Sequence, residues 1–346
     1  MNPLKIGMIG FWNIAQMHAK DIASIPELQL VSAADLLPDL RALAREKFGI
    51  SNVYGDYREL IRRSDADAVV VALPVPLHYK ATMAALRAGK HVMCEKPPAS
   101  NAAEARRMID LAKEKGLVLT WGLQRRFYPE MFVARREIQA GALGAIYRIN
   151  VQYTVQRVPR VATDLFRMRK STGGGVFYDL GVHALDLAWS LMGCPKPARV
   201  VTANHTVFPQ WVNEAARGDM AEDNSMTLVF FEGGKAVSVE TSYCANHADS
   251  TEHHPRLQIL GDKGGLQTPS MVFVTGGLEP KSVQKRTLAA EPPDGKTERR
   301  LMHENFVDAI RGRAPLLIQA EQGYDLMRML EAVSQSAEKG KEIRLK

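Results

Sequence analysis

The chain has 346 residues, 46% of them apolar and 24% charged, a balance that excludes a disordered or fibrous protein. At roughly 100–200 residues per domain, two domains are expected, each able to bury a core without disulfide or metal staples. The net charge is +7, but Lys and Arg alternate with acids along helical stretches and form no aromatic-interleaved stripe, which argues against a nucleic-acid surface.

The first ~120 residues alternate short β-branched runs with helical patterns, as in βαβ units on a parallel sheet. "LKIGMIG" reads as a strand and "IAQMHAKDIAS" as a helix. "LQLVSAAD" is a strand ending at Asp35, and "LPDLRALAREKFG" a helix ending at Gly49. "ADAVVVALP" is the continuous apolar run of a strand buried on both faces. "LHYKATMAALRAG" is a helix stopped by Gly89, and "HVMCEKPP" a strand that ends at Pro97. "NAAEARRMIDLAKEKG" has an N-capping Asn101, and "LVLTWGL" closes the set.

After about residue 125 strands follow one another: "AIYRINVQYTVQ", "ARVVTANHTV", "SMTLVFFEGGKAVSVETSYCA" and "RLQILGDKGGLQT". The third is a hairpin turning at Glu232-Gly233-Gly234-Lys235, and the group predicts an open, mainly antiparallel sheet. One helix, "GGGVFYDLGVHALDLAWSLMG", interrupts the strands. "EPPDGKTERR" reads as an exposed loop, and two helices, "HENFVDAIRG" and "AEQGYDLMRMLEAVSQSAEKG", end the chain. The expected division is a Rossmann domain over 1–124 and a substrate-binding and oligomerisation α/β domain over 125–346.

Three constellations carry chemistry. In "KIGMIGFWNIAQMHAK" Gly10 fits the first glycine of G-x-G-x-x-G and Ala15 the third, but Trp12 occupies the second, where backbone approaches pyrophosphate. Asp35, ending the second strand, is the acid that takes ribose hydroxyls and disfavours a 2′-phosphate, so NAD is expected over NADP. Arg41, a turn further on, is expected to face solvent. In "CEKPP", Glu95, Lys96 and Pro97 end a parallel strand, where ligands bind in open α/β sheets. A Lys there can stabilise the alkoxide formed as hydride leaves. Asp179, His183 and Asp186 are spaced i, i+4, i+7 on one helix face, and a His so placed can act as a general base oriented by the carboxylate. A zinc site would need a third ligand that the sequence does not offer, so no metal is expected.

These stretches together resemble the Gfo/Idh/MocA oxidoreductases, the relatives of glucose-fructose oxidoreductase and inositol dehydrogenase. Glu-Lys-Pro followed by Gly-Gly-Gly-x-x-x-Asp-x-Gly-x-His carries the resemblance, with "DADAVVVALPVPLHYKATMAALRAGKHVMCEKPPA", "GLQRRFYP", "GALGAIYRI" and "GDKGGL". It implies an N-terminal dinucleotide-binding domain and a C-terminal α/β domain whose sheet carries substrate on one face and commonly an oligomer interface on the other. Lys96 would contact nicotinamide and substrate, Asp179 would orient substrate, and His183 would exchange the proton. Pro74 and His78 match the loop near the cofactor. The chain departs from the family at Val75, usually Asn, and at Trp12, usually Gly, Ala or Ser.

The candidate catalytic residues are therefore Lys96, Asp179 and His183. The cofactor set is Gly10, Trp12, Asn13, Ile14, Asp35, Leu73, Pro74, His78, Glu95 and Lys96. The substrate set is Lys96, Arg126, Arg167, Asp179 and His183. Arg157, Arg160, Arg167, Arg169 and Lys170, with Arg125 and Arg126, suit an anionic group on a carbohydrate-like substrate, with a solvated basic loop as the alternative. The expected function is NAD-dependent oxidation of a secondary alcohol on a sugar, cyclitol or sugar derivative. A glycosidase working by transient oxidation, or a catalytically silent sensor, is the alternative. No apolar run spans a membrane and no signal-peptide core opens the chain. Cys94, Cys194 and Cys244 are far apart and read as thiols of a reducing compartment. A cytoplasmic homo-oligomer, dimer or tetramer, is expected.

Overall fold

The computed structural model describes residues 2–155, 174–208, 218–246, 254–276, 279, 282–291 and 293–345. The chain divides into two compact units: Met1–Phe127 with Asp294–Met327, and Tyr128–Pro293 with Arg328–Lys346.

The first unit is built on six parallel strands: β1 (Leu4–Ile9), β2 (Leu28–Ala34), β3 (Asn52–Tyr54), β4 (Ala68–Val71), β5 (His91–Cys94) and β6 (Leu119–Trp121). Their order in the sheet is β3-β2-β1-β4-β5-β6, the dinucleotide-binding order whose direction of winding reverses between β1 and β4. Helices α1 (Asn13–Ala23), α2 (Pro38–Phe48), α3 (Tyr57–Arg63), α4 (Val75–Arg87) and α5 (Ala102–Glu114) make the crossovers. All four residues of β4 are fully buried, as a strand covered on both faces requires. Asn101 caps α5 through its side chain, accepting from Glu104 N at 2.8 Å, and Gly49 ends α2 in the left-handed conformation.

Two elements here carry no clear periodicity: β3 has three residues and α3 seven, too short for a pattern. A third finding is that α8 (Glu298–Ile310) belongs to this unit and begins inside "EPPDGKTERR", so the last part of that stretch is helix. Thr297 supplies the N-cap by accepting from Arg300 N. The segment that follows is pinned from within the unit. Trp121 Nε1 donates to Ala320 O at 3.0 Å, and Thr120 Oγ1 to Ile318 O at 2.9 Å. A Cβ on Gly323 would lie 2.3 Å from Trp121 Nε1, so the indole and the main chain touch without an intervening side chain.

The second unit holds a nine-stranded sheet of order β14-β13-β12-β11-β7-β10-β9-β8-β15. Its strands are β7 (Ile146–Thr154), β8 (Pro197–His205), β9 (Asn224–Phe231), β10 (Ala236–Ser242), β11 (Arg256–Gly261), β12 (Gly264–Thr268), β13 (Val272–Thr275), β14 (Gln284–Thr287) and β15 (Ile343–Arg344). Every pairing is antiparallel except β7 with β10. The β9–β10 hairpin turns at Glu232–Gly234, with Gly233 and Gly234 at φ 79° and 80°. Val229, Val237, Val239, Ile149, Val151, Leu257 and Ile259 are fully buried on one face, where α7 (Val182–Leu191) packs on β7 and β10. The alternate positions Val201, Met226 and Leu228 are exposed, so the sheet reads buried-in, exposed-out with period two. The last helix, α9 (Ala320–Lys339), and α6 (Pro129–Gln139) complete the element list. Among the described residues no helix is long and apolar enough to cross a membrane.

Candidate active site

The switch point of the parallel sheet places the N-terminus of α1 directly after β1. Gly10 has φ +86°, and a Cβ there would lie 2.4 Å from Ala72 O, so no other residue fits this turn. Gly10 N donates to Ala34 O and Ala72 N to Ile9 O, both at 2.8 Å, which carries the ladder past the strand ends.

Trp12 does not crowd this turn. It is the N-cap of α1 at φ −72°, ψ 178°, an extended conformation open to any residue, and its side chain is 58% exposed. The indole is therefore not packed into the turn. No side chain caps α1 and its first turn holds no acidic residue, so Asn13 and Ile14 stand at a helix start suited to phosphate.

Asp35 directly follows β2. Its Oδ2 accepts from Phe11 N at 2.8 Å and its Oδ1 from Leu37 N at 2.9 Å. A carboxylate has room for about four hydrogen bonds, so a half-buried Asp35 retains acceptor capacity for ribose hydroxyls. Arg41 departs from the expectation of a solvent-facing side chain. Its guanidinium donates to Asp35 O and Leu36 O, at 2.9 and 2.8 Å. The turn, the bare helix start and the acid together fit a dinucleotide.

Leu73 and Pro74 follow β4, and Pro74 is the N-cap of α4 with Val75 at its first position. His78 lies beneath that loop rather than on it. It is 1% exposed, with Nδ1 2.9 Å from Pro97 O and Nε2 2.7 Å from Leu73 O. Burial pulls its pKa below the ordinary histidine value, against the two carbonyls and Glu95, which favour the cation. Glu95 is also inside, 6% exposed, and accepts from His18 Nε2 at 2.9 Å and from Lys96 N at 3.1 Å. Burial would push its carboxyl up, but the hydrogen bond and charge of His18 and the charge of Lys96 outweigh it, and the net shift is downward. Lys96 itself is half-buried at the C-terminal end of β5.

Arg126, expected at the substrate, is instead 2% exposed. Its Nη1 donates to Leu317 O at 3.1 Å and to Gln322 Oε1 at 2.7 Å, inside the first unit. A guanidinium so enclosed braces the returning segment. Arg157, Arg160, Arg167, Arg169 and Lys170 lie outside the described residues.

In the second unit the helix expected from Gly173 onward has two parts. Phe177–Gly181 is a π-helical turn, and only from Val182 does α7 begin. Gly175 at φ +124° starts the turn, where a Cβ would lie 2.4 Å from Glu222 Oε1, and that carboxylate accepts from Phe177 N at 3.1 Å. Gly181 is needed for a different reason: a Cβ there would meet the Phe177 ring at 2.6 Å. Such wide turns recur at functional sites. Asp179 lies in it, half-buried, with Tyr243 Oη donating to Oδ2 at 3.1 Å. His183, in the first turn of α7, is 4% exposed, and Asp186 is 1% exposed, a core position. Tyr243 and Glu222 were not legible as site residues because both come from other parts of the chain. Among the described residues no cluster of His, Cys, Asp and Glu could hold a metal ion.

Residues 4–123 match the family model described as "Oxidoreductase family, NAD-binding Rossmann fold", and 135–345 match "Oxidoreductase family, C-terminal alpha/beta domain". The chain belongs to the Gfo/Idh/MocA family. It is a nicotinamide-dependent oxidoreductase of CH–OH groups with an NAD-binding domain. It is 30% identical to the D-glucoside 3-dehydrogenase of Escherichia coli, covering 99% of this chain and 98% of the relative. It is 32% identical to the dTDP-3,4-didehydro-2,6-dideoxy-alpha-D-glucose 3-reductase of Streptomyces violaceoruber, over 92% and 87% of the two chains. A levoglucosan dehydrogenase in complex with NADH and levoglucosan shares the fold at TM-score 0.87 and 24% identity, with 100% of both chains covered.

Two outcomes follow from this geometry. Trp12→Gly should leave NADH binding by calorimetry within a fewfold of the natural protein, because the indole is not in the turn. Binding that appears only in the variant would show that it blocks the site. The second concerns pH. Burial holds His78, His91 and His303 below the ordinary histidine pKa. The unfolded chain, with histidines near ~6.5, therefore binds more protons than the folded one below that value. Their stabilising effect is complete above pH ~6.5 and is lost as pH falls toward the folded values. The thermal midpoint should be level from pH 8 to 7 and decline below 6.5. A midpoint that rises on acidification would contradict the neutral, buried histidines.

Proposed function

We propose that the chain reversibly oxidises a secondary alcohol of a sugar, cyclitol or sugar derivative, with His183 as general base and Lys96 stabilising the oxyanion. The observation that carries this is that one chain holds both halves of the chemistry. Lys96 lies half-exposed at the C-terminal edge of a parallel sheet, and His183 follows an Asp179 held by Tyr243. Bound NAD supplies the hydride acceptor. The His183 imidazole would take the hydroxyl proton as the carbinol is oxidised to the carbonyl. The Lys96 ammonium offsets the charge developing on oxygen. Asp179 orients the substrate. The α1 start at Asn13 and Ile14 would hold the pyrophosphate and Asp35 the ribose, Leu73 and Pro74 would lie in the loop beside the cofactor, and Trp12 would cover its edge.

Among similar proteins, a D-glucoside 3-dehydrogenase and the myo-inositol 2-dehydrogenase of Thermotoga maritima, 27% identical to this chain, support a cyclic polyol as the substrate class. An acidic group on it, read by Arg167 and its neighbours, remains part of the proposal. So does a cytoplasmic location, read from three cysteines that lie far apart in the sequence and follow no metal-ligand spacing. We further propose a homo-oligomer, a dimer or tetramer, formed through the outer face of the nine-stranded sheet. There Val201 pairs with Leu228, Ala203 with Met226 and Arg199 with Phe230, whose ring lies under the Arg199 guanidinium. Met226 is 64% exposed, and contiguous apolar surface of this kind marks an association site.

The decisive experiment is a panel of methyl β-D-glucoside, levoglucosan, myo-inositol and glucuronate, read at the absorbance of reduced nicotinamide with NAD and with NADP. NAD should be preferred. With the best substrate, Lys96→Ala and His183→Ala should each cut turnover by about 10²–10⁴-fold with the circular dichroism unchanged. Near-normal turnover in either variant removes that residue from the mechanism, and no reduction with any ring polyol rejects the substrate class. For the assembly, sedimentation as a monomer at micromolar concentration would exclude the proposed interface.

A further inference from the structure

Lys96 stands between two neighbours that are each tied to a buried histidine. In the run Val92–Ala99 it is the half-buried residue among buried ones. On its N-terminal side, Glu95 accepts from His18 Nε2 through Oε1, at 2.9 Å, and from the Lys96 main-chain N–H through Oε2, at 3.1 Å. Gly122 completes the enclosure, since a Cβ there would lie 2.5 Å from Glu95 Oε1. Behind His18 stands His303 of α8, its Nε2 2.8 Å from His18 Nδ1 and the two rings edge to face at 5.0 Å. On the C-terminal side, the Pro97 carbonyl lies 2.9 Å from His78 Nδ1.

None of these histidines touches a reacting atom in the mechanism above. Nor is their polarity a good way to stabilise a core, because well-packed apolar residues of similar size are often as stable as a buried ion pair. What the chain of bonds does supply is direction. A carboxylate gripped through both oxygens by partners on different elements has one position. The Lys96 main-chain N–H on one side and the Pro97 carbonyl on the other are then held from inside the fold, and Lys96 between them is half-buried.

We propose that His18, backed by His303, and His78 are positioning residues for Lys96, holding its main chain on both sides so that the ammonium meets the nicotinamide end of the cofactor. This rests on the reading of Lys96 given under the proposed function. Catalytic groups lose rate steeply with small displacements, about 10²-fold for 1 Å, so the polar core is explained by precision rather than by stability.

The test uses NADH and ADP-ribose, which lacks the nicotinamide, as calorimetric probes of the full chain. Lys96→Met should weaken NADH about tenfold, the scale of one charge-assisted hydrogen bond, and leave ADP-ribose within about twofold. His18→Leu, similar in size but without a donor, should reproduce that pattern. It should add nothing in the Lys96→Met background, because two changes acting through one group are not additive. His18→Gln, whose amide can donate to Glu95, should restore NADH binding. If His18→Leu does not fold, His303→Leu and His78→Leu are read in the same way. Equal loss of both probes, or an effect that adds to that of Lys96→Met, would make the histidines merely structural and overturn the inference. A Lys96→Met protein that binds NADH normally would be a separate result: it would reject the nicotinamide contact of Lys96 itself, and the positioning role with it.

Discussion

The first unit is organised by one close approach: Gly10, at φ +86°, turning against the carbonyl of Ala72 with no space for a Cβ. That contact lets β1 hand over to α1 beside the end of β4, at the point where the sheet reverses its winding. A helix start without a capping side chain then faces the crevice. The loops that end neighbouring strands, bearing Asp35, Leu73, Pro74 and Lys96, are carried to the same edge because all six strands run in parallel. A larger residue at position 10 would move the helix away from the strand and separate these groups.

The same logic explains how Trp12 fits where the dinucleotide fingerprint has its second glycine. A fingerprint glycine can be demanded by backbone conformation or by lack of room, and the two demands are separable. Gly10 answers to both. Position 12 is extended, so conformation asks nothing of it, and an exposed side chain costs no internal room. A pattern of letters does not distinguish these cases, and the φ angles do.

Much of the fold was legible because it rests on local regularities. A continuous apolar run marked β4, glycine stops marked the ends of α2 and α4, and the Glu232-Gly233-Gly234-Lys235 turn marked the β9–β10 hairpin. What escaped depends on partners distant in sequence. The segment after α8 is tied back to the first unit by Trp121, Thr120 and Arg126 reaching residues 191 to 199 positions away, and no local period records that. The π-helical turn at Phe177–Gly181 escaped for a related reason, since it is shaped by Glu222 and Tyr243. Among the site residues, Gly10, Asp35, Lys96, Asp179 and His183 stood out through spacing and placement at strand ends. Arg126, His78 and Glu95 also carried the right chemistry, and no local pattern records that they are buried and bonded as supports within the first unit.

Those supports share a physical character. His18, His78, His303, Glu95 and Arg126 are all nearly inaccessible, and each is bonded to a main-chain atom or to another member of the group. A buried polar side chain is costly unless its partner is in the right place, so each acts as a constraint that fails sharply when geometry drifts. Apolar packing resists drift more softly, because dispersion is not directional and a side chain can slide at small cost. A domain that, on the proposed reading, presents one lysine and one helix start to a dinucleotide gains from the sharper kind of constraint. The unit uses it at the end of β5 and at the returning segment, and leaves the sheet interior to valine, isoleucine and alanine.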